Sequence, residues 1–332
     1  MPEMFFFEHG FIRLSRLAPS LLLGASLLFP LKLLGAEQSA EPVPGFLDRI
    51  DAPRDFVAAT FVSFATDVDR FFGDDRNYQE SNKSMLQLDI TKVAGYGGSR
   101  NIVFTGRAKV HLPSAENRFR LVLESNPDKN VTGEPTQGKP ALLDKVTAPE
   151  SYAVAARYEK AEESVWHFSS DAGLKFQSGL TPFARIRGSY SVPLDQWRLK
   201  VAESVFWFNT IGVGETTQLD LERPLSENMM FRATSNASWL RDKHNFDLRQ
   251  DFSIYHTLDE RSALLYQVAA IGVSEPQVQA TEYVALFLYR YRLHRSWMFF
   301  EVSPQLHFPR ARNFESSPQL NLRLEMLFDG SK

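Results

Sequence analysis

His167, Ser169 and Asp171 stand at i, i+2 and i+4. In an extended strand that spacing puts three side chains on one face. A serine beside a histidine base, with a carboxylate to orient the ring, is the arrangement of a nucleophilic hydrolase. Its neighbours Trp166, Phe168 and Ala172 occupy the opposite face, so the three polar groups turn away from an apolar surface. No Gly-x-Ser-x-Gly, His-Glu-x-x-His or phosphate-loop pattern accompanies them. Gly95-Tyr96-Gly97-Gly98 has no Lys-Ser/Thr after it and reads as a turn. Asp67, Asp69, Asp74 and Asp75 gather at a helix end without the spacing of a calcium loop. The chain has no cysteine, which excludes disulfides, thiolate metal sites and cysteine nucleophiles together. The expectation is a protein with no catalytic residue, no metal and no cofactor. A lipid hydrolase or deacylase built on Ser169 is the lesser alternative.

A second set of polar residues is larger and more regular. Arg107, Lys109, Arg118, Arg120, Arg157, Arg185 and Arg187 fall on alternate positions of successive segments. Asp220, Glu222, Asp247 and Asp251 do the same further along. Each of these faces is backed by an apolar one, as in Ile102, Phe104, Ala108 and Val110, or Leu320, Leu322, Leu324, Met326 and Phe328. Charge on one face of every strand is prohibitive against hydrocarbon and tolerable inside a barrel. These eleven charged residues are therefore expected to line a lumen, with a basic early wall opposite an acidic one. A transverse field of that kind acts on polar solutes. A salt-bridge network filling the interior is the competing expectation.

The elements that would hold such faces are long strands. From residue 84 the apolar period is two, and several segments run about 11 to 14 residues, against about 5 or 6 in soluble sheets. A tilted membrane strand needs about 9 to 11. Leu194, Leu225, Leu258 and Leu293 mark similar short turns, 31, 33 and 35 residues apart. That is the length of a hairpin plus its far loop, and repetition of this kind marks repeated units. The count is about fourteen strands, twelve if two early segments are not strands. An even number puts both barrel ends on one side. One far loop, about residues 126 to 150, is long. Pro304 lies inside a strand and predicts a bulge, since proline cannot donate to the ladder.

The beginning of the chain differs. Arg13 and Arg16 precede an apolar stretch from Leu17 to Leu34, then Gly35 and Ala36. That order predicts a signal peptide over residues 1 to 36. Val57, Phe61, Phe64, Val68, Phe71 and Phe72 then recur at helical steps, predicting an amphipathic helix within a periplasmic segment, residues 37 to 83. Its aromatic face is expected to pack on the barrel mouth; a plug or a partner-docking helix is the sharper alternative. Of 332 residues, 43% are hydrophobic, and the net charge of −3 gives no footing for a nucleic-acid partner.

Leu322, Leu324, Met326 and Phe328 resemble the C-terminal signature of bacterial outer-membrane proteins, in which alternating apolar residues end in an aromatic. Here Asp329 to Lys332 follow as a tail. The resemblance implies an all-β, antiparallel, up-and-down transmembrane barrel over residues 84 to 328. It also implies recognition of that segment by the barrel-assembly machinery, and a lipid environment. The His-x-Ser pair is similar to that of outer-membrane lipid hydrolases, whose other motifs are absent. The expected function is a porin-like channel for small polar solutes. A closed structural or partner-binding barrel is the alternative, and a secreted soluble β-protein a further one.

Overall fold

The structure is a computed structural model describing residues 64–73, 78–79, 83–97, 102–111, 118–131, 149–160 and 165–329. The signal segment, the first part of the expected helix and the end of the C-terminal tail lie outside them. The strands are β1 (Met85–Gly95), β2 (Val103–His111), β3 (Phe119–Ser125), β4 (Tyr152–Glu159), β5 (Trp166–Phe176), β6 (Leu180–Leu194) and β7 (Trp197–Phe208). They continue as β8 (Gly212–Ser226), β9 (Met229–Leu240), β10 (Phe246–Thr257), β11 (Ser262–Val273), β12 (Gln279–Arg292), β13 (Met298–Pro309) and β14 (Ser317–Asp329). Each pairs antiparallel with its sequence neighbours, and β1 closes on β14, with Leu86 opposite Phe328 and Asp89 opposite Glu325. The result is a closed up-and-down barrel of fourteen strands. Helices among the described residues include α1 over residues 64–72, before the barrel, and α2 (Pro127–Val131), after β3, with a 3-10 turn at Arg310–Arg312.

The alternation read from the sequence is the inside–outside alternation of the wall. Along β1, Gln87 and Asp89 are buried and face inward, while Leu86 and Leu88 are exposed and face outward. The same holds for Arg185 against Ile186 on β6 and Asp251 against Phe252 on β10. Aromatic pairs sit toward the strand ends on the outer face. Trp166 meets Tyr190 with ring centres 4.3 Å apart, and Trp297 stacks on Phe328 at 4.7 Å. Both pairs lie at the end that carries the chain termini of the barrel, here the near end. Tyr283 and Phe314 meet at 5.5 Å at the far end. An apolar belt between two aromatic girdles is the outer surface of a membrane-spanning barrel. Ile186 sits mid-strand on this belt. Ile186→Arg is expected to cost about 2–4 kcal/mol in lipid vesicles, read from the urea midpoint of tryptophan fluorescence. An unchanged midpoint would place this face in water.

The near turns are short because their own side chains complete them. Asp259 Oδ1 accepts from the backbone N–H of Arg261 at 2.7 Å and of Ser262 at 2.9 Å, and Oδ2 accepts from the Ser262 hydroxyl at 2.7 Å. The Ser262 hydroxyl and these amides favour the ionised form and hold the Asp259 carboxyl below its ordinary range. In the β6–β7 turn, Asp195 takes a positive φ of 54°, a left-handed conformation that Asn and Asp accept more readily than most residues.

Pro304 does not form the expected bulge. Leu286 pairs with Gln305 and Tyr289 with Val302, so the β12–β13 register is the same on either side of the proline. The ladder simply lapses opposite Phe287 and Leu288, while on the β14 side Pro304 pairs normally with Leu320. The missing N–H would have pointed toward β12, and one omitted rung suffices. The register shifts lie elsewhere, at Ile271/Gly272 against β12 and at Pro224/Ser226 against β9.

Candidate functional site: a filled lumen

The inner faces are not uniformly polar. Residues 262–273, which form β11, carry no charged side chain. Ala263, Leu265 and Ala269 therefore face inward beside Val284, Leu286 and Leu288 of β12, with Met230 and Tyr255 from β9 and β10. Helix α1 covers this patch. Ala65, Val68 and Phe72 are buried against it, and Phe72 meets Tyr255 edge-on at 5.1 Å. The cluster that includes α1 reaches past the midpoints of β11 and β12. The helix thus lies within the barrel and does not pack on its mouth. The physical reason is the apolar inner stripe, which a water-filled lumen would leave wet.

A buried polar contact anchors the helix. Asp69, on the same buried side, accepts from Arg232 Nη2 at 2.6 Å. Arg232 also donates from Nε to Glu222 at 2.7 Å and from Nη1 to the Tyr255 hydroxyl at 3.2 Å. Gly73 ends the helix at φ +62°, where a Cβ would stand 2.7 Å from Glu325 Oε1. Glycine meets both demands there, the left-handed backbone and the close approach. Tyr78 follows inside the wall. Its hydroxyl donates to the Ala108 carbonyl at 3.0 Å, its own carbonyl accepts from Lys109 at 2.8 Å, and the Arg107 guanidinium lies 4.2 Å from its ring centre. Burial pushes the Tyr78 hydroxyl above its ordinary pKa.

Most of the eleven expected lumen residues point inward, and the strand register decides what they meet. Arg157 lies directly opposite Asp171, and Asp171 opposite Arg185. Arg157 donates to the Asp171 carboxylate from Nε at 2.7 Å and from Nη2 at 2.9 Å. Arg185 binds the same carboxylate and lies 2.8 Å from Glu124. Lys109 reaches Glu159 at 3.1 Å, and Arg120 and Arg157 lie 3.7 Å from it. Arg107 donates from Nε to Gln87 at 2.8 Å. Glu222 sits between Arg198, at 2.6 Å, and Arg232. Asp220 accepts from Thr234 at 2.7 Å and Gln218 at 2.9 Å. Asp251 accepts from Arg249 at 2.8 Å and Gln267 at 2.8 Å. Arg187 donates to the Ser204 hydroxyl at 3.1 Å. Two residues lie apart from this interior. Arg118 is exposed in the turn before β3, and Asp247 pairs with Lys243 at 3.0 Å on the exposed far rim.

These pairs offset much of the expected opposition of a basic and an acidic wall, because antiparallel register sets many opposite charges side by side. The compensation is incomplete on the early strands, where Arg120 lies directly opposite Arg157. The densest pairing includes no residue of the eleven. Glu301 accepts from Arg323 at 2.7 and 2.8 Å and also from Arg290, while Arg290 donates to Glu325 at 2.6 Å.

A second insertion comes from the far end. In α2, Asp128 pairs with Lys175 at 2.7 Å, Asn130 donates to Glu124 at 3.1 Å, and the Val131 carbonyl accepts from Thr216 at 2.6 Å. Between Val131 and Gln79 a cavity of about 30 Å³ remains, walled by Arg157, Ser169, Asp171, Arg185, Arg187, Ser204 and Gln218. That is room for about two waters. His167, Ser169 and Asp171 are all buried on the inner face. Both oxygens of Asp171 are held by arginines, so it does not orient His167 as a hydrolase would require. Among the described residues no group of three or more His, Asp or Glu side chains could hold a metal.

No protein-family model matches this chain, and no curated protein does. Solved structures resemble its fold at low identity. They include a bacterial polysaccharide outer membrane secretin, with TM-score 0.45, 9% identity, and coverage of 75% of this chain and 99% of that one. Pseudomonas putida OprB gives TM-score 0.44, 11% identity, and 76% and 96% coverage. The outer membrane channel DcaP of Acinetobacter baumannii gives 0.42, 8%, and 74% and 96%. Likeness at this level concerns strand pattern and closure, and leaves function to the site.

Proposed function

We propose that the chain is an outer-membrane channel for small polar solutes, held closed by its own helix α1 and Tyr78–Gln79. The carrying observation is that the lumen is occupied by inserted backbone. Eight-stranded barrels are filled by their side chains alone, whereas larger ones leave space. Here α1, Tyr78–Gln79 and α2 take that space, so withdrawing a segment would leave a polar passage along β3–β8. The signal segment accounts for export. The outer face of β14, with Leu322, Leu324, Met326 and Phe328, is offered to lipid and to the assembly machinery.

The test is conductance in planar bilayers. The full chain is expected to be nearly silent, and a variant lacking residues 41 to 80 to open discrete steps. Heat-modifiable gel mobility shows that the variant is folded. A folded variant that never conducts would sink the channel. One observation favours the second reading, a permanently closed barrel. The apolar stripe of Leu265, Leu286 and Leu288 would meet water whenever α1 left it.

A further inference from the structure

We propose that the cavity between Val131 and Gln79 is a binding site for one chloride-sized anion, held by Arg185 and Arg187. Arg185 is 6% exposed, and its Nη2 has no hydrogen-bond acceptor among the described residues. The Nε of Arg187 has none either. A buried cationic donor without an acceptor is costly, and native interiors supply one. The described residues do not supply it here. The one carboxylate on the cavity wall, Asp171, already receives both Arg157 and Arg185. The neighbouring carboxylate of Glu159 is shared by Lys109, Arg120 and Arg157. Glu124 lies 2.8 Å from Arg185 Nη1 and also accepts from Asn130. Among the described residues Asp171, Glu159 and Glu124 thus face Lys109, Arg120, Arg157, Arg185 and Arg187, and positive charge is in surplus around the cavity.

Water could fill the space but would leave that surplus uncompensated, whereas an anion supplies charge and acceptor together. The volume, about 30 Å³, admits a halide and excludes a sugar acid or a phosphate ester. Ser169 and Gln218 line the same wall and offer further polar groups. The site does not depend on conduction. If the barrel conducts, this site would lie on the polar side of the lumen and favour anions.

The full-length protein crystallised in sodium bromide tests the site. An anomalous peak is expected between the two guanidinium groups, and Arg187→Gln is expected to abolish it. Arg187 makes no ion pair among the described residues, so this variant leaves no carboxylate stranded, unlike a change at Arg185. A cavity that scatters only as water in wild-type crystals overturns the proposal. A peak unchanged in Arg187→Gln also overturns it, because the ion would then be held by other groups. Bilayer recordings of the variant lacking residues 41 to 80 separate the two proposals. A folded variant that never conducts, with a bromide peak in the full-length crystals, counts against the channel alone, and a conducting variant with an empty cavity in the full-length crystals counts against the anion site alone.

Discussion

Glu301→Ala is expected to destabilise the barrel by about 3–5 kcal/mol, the usual cost of removing one partner from a buried ion pair. Glu301 stands between two arginines on three consecutive strands, opposite Arg290 of β12 and Arg323 of β14. All three are nearly inaccessible, and Arg290 also lies with its guanidinium 4.0 Å from the Phe299 ring centre. Without Glu301, two buried cations would share Glu325, with Asp89 beside it as the remaining carboxylate. The intact network contributes little net stability, because its desolvation cost offsets much of its attraction. The prediction therefore concerns the stranded charges, and Glu301→Gln, which keeps shape and one acceptor, should cost less than Ala. The urea midpoint in lipid vesicles, followed by tryptophan fluorescence, reports it. A loss below about 1 kcal/mol, typical of exposed pairs, would mean that water reaches this end of the lumen.

The strand count, the turn positions and the inward direction of most charges were legible because they depend on a period of two and on turn spacing. Both are local. What those charges bind was harder to see, because partnership depends on register. Yet the register was within reach. Short turns such as residues 209–211 fix it, and counting back from Phe208 opposite Gly212 brings Lys200 opposite Asp220 and Arg198 opposite Glu222. A sum of charge by wall leaves out the pairing by rung, which offsets much of the expected transverse field and leaves the early strands basic. The inner apolar stripe was also written plainly, in the twelve uncharged residues of β11. A strand apolar on both faces has something apolar on each side of it. Outside, that is the belt; inside, it is the amphipathic helix α1. The cavity could not have been read in advance. It exists because α2 and Gln79 approach from opposite directions in sequence, and nothing local encodes that meeting.

Phe72→Ala then separates the two readings of the lumen. Phe72 is 1% exposed and packs among Met230, Tyr255, Leu265 and the apolar residues of β12. Truncating a buried aromatic costs about 3–5 kcal/mol. The strand ladders do not involve Phe72, so the loss should fall on docking of α1 while the wall persists. At about 1.4 kcal/mol per factor of ten, the undocked population rises by about 10²- to 4 × 10³-fold. Amide exchange across residues 65–72 should accelerate by that factor, with heat-modifiable mobility retained and brief openings appearing in bilayers. The Asp69–Arg232 contact would still hold the helix part of the time, so the openings should be transient. If the whole barrel instead loses stability and α1 exchanges no faster than the strands, helix and wall unfold as one unit. The helix is then a permanent half of the core, and the barrel is closed by construction.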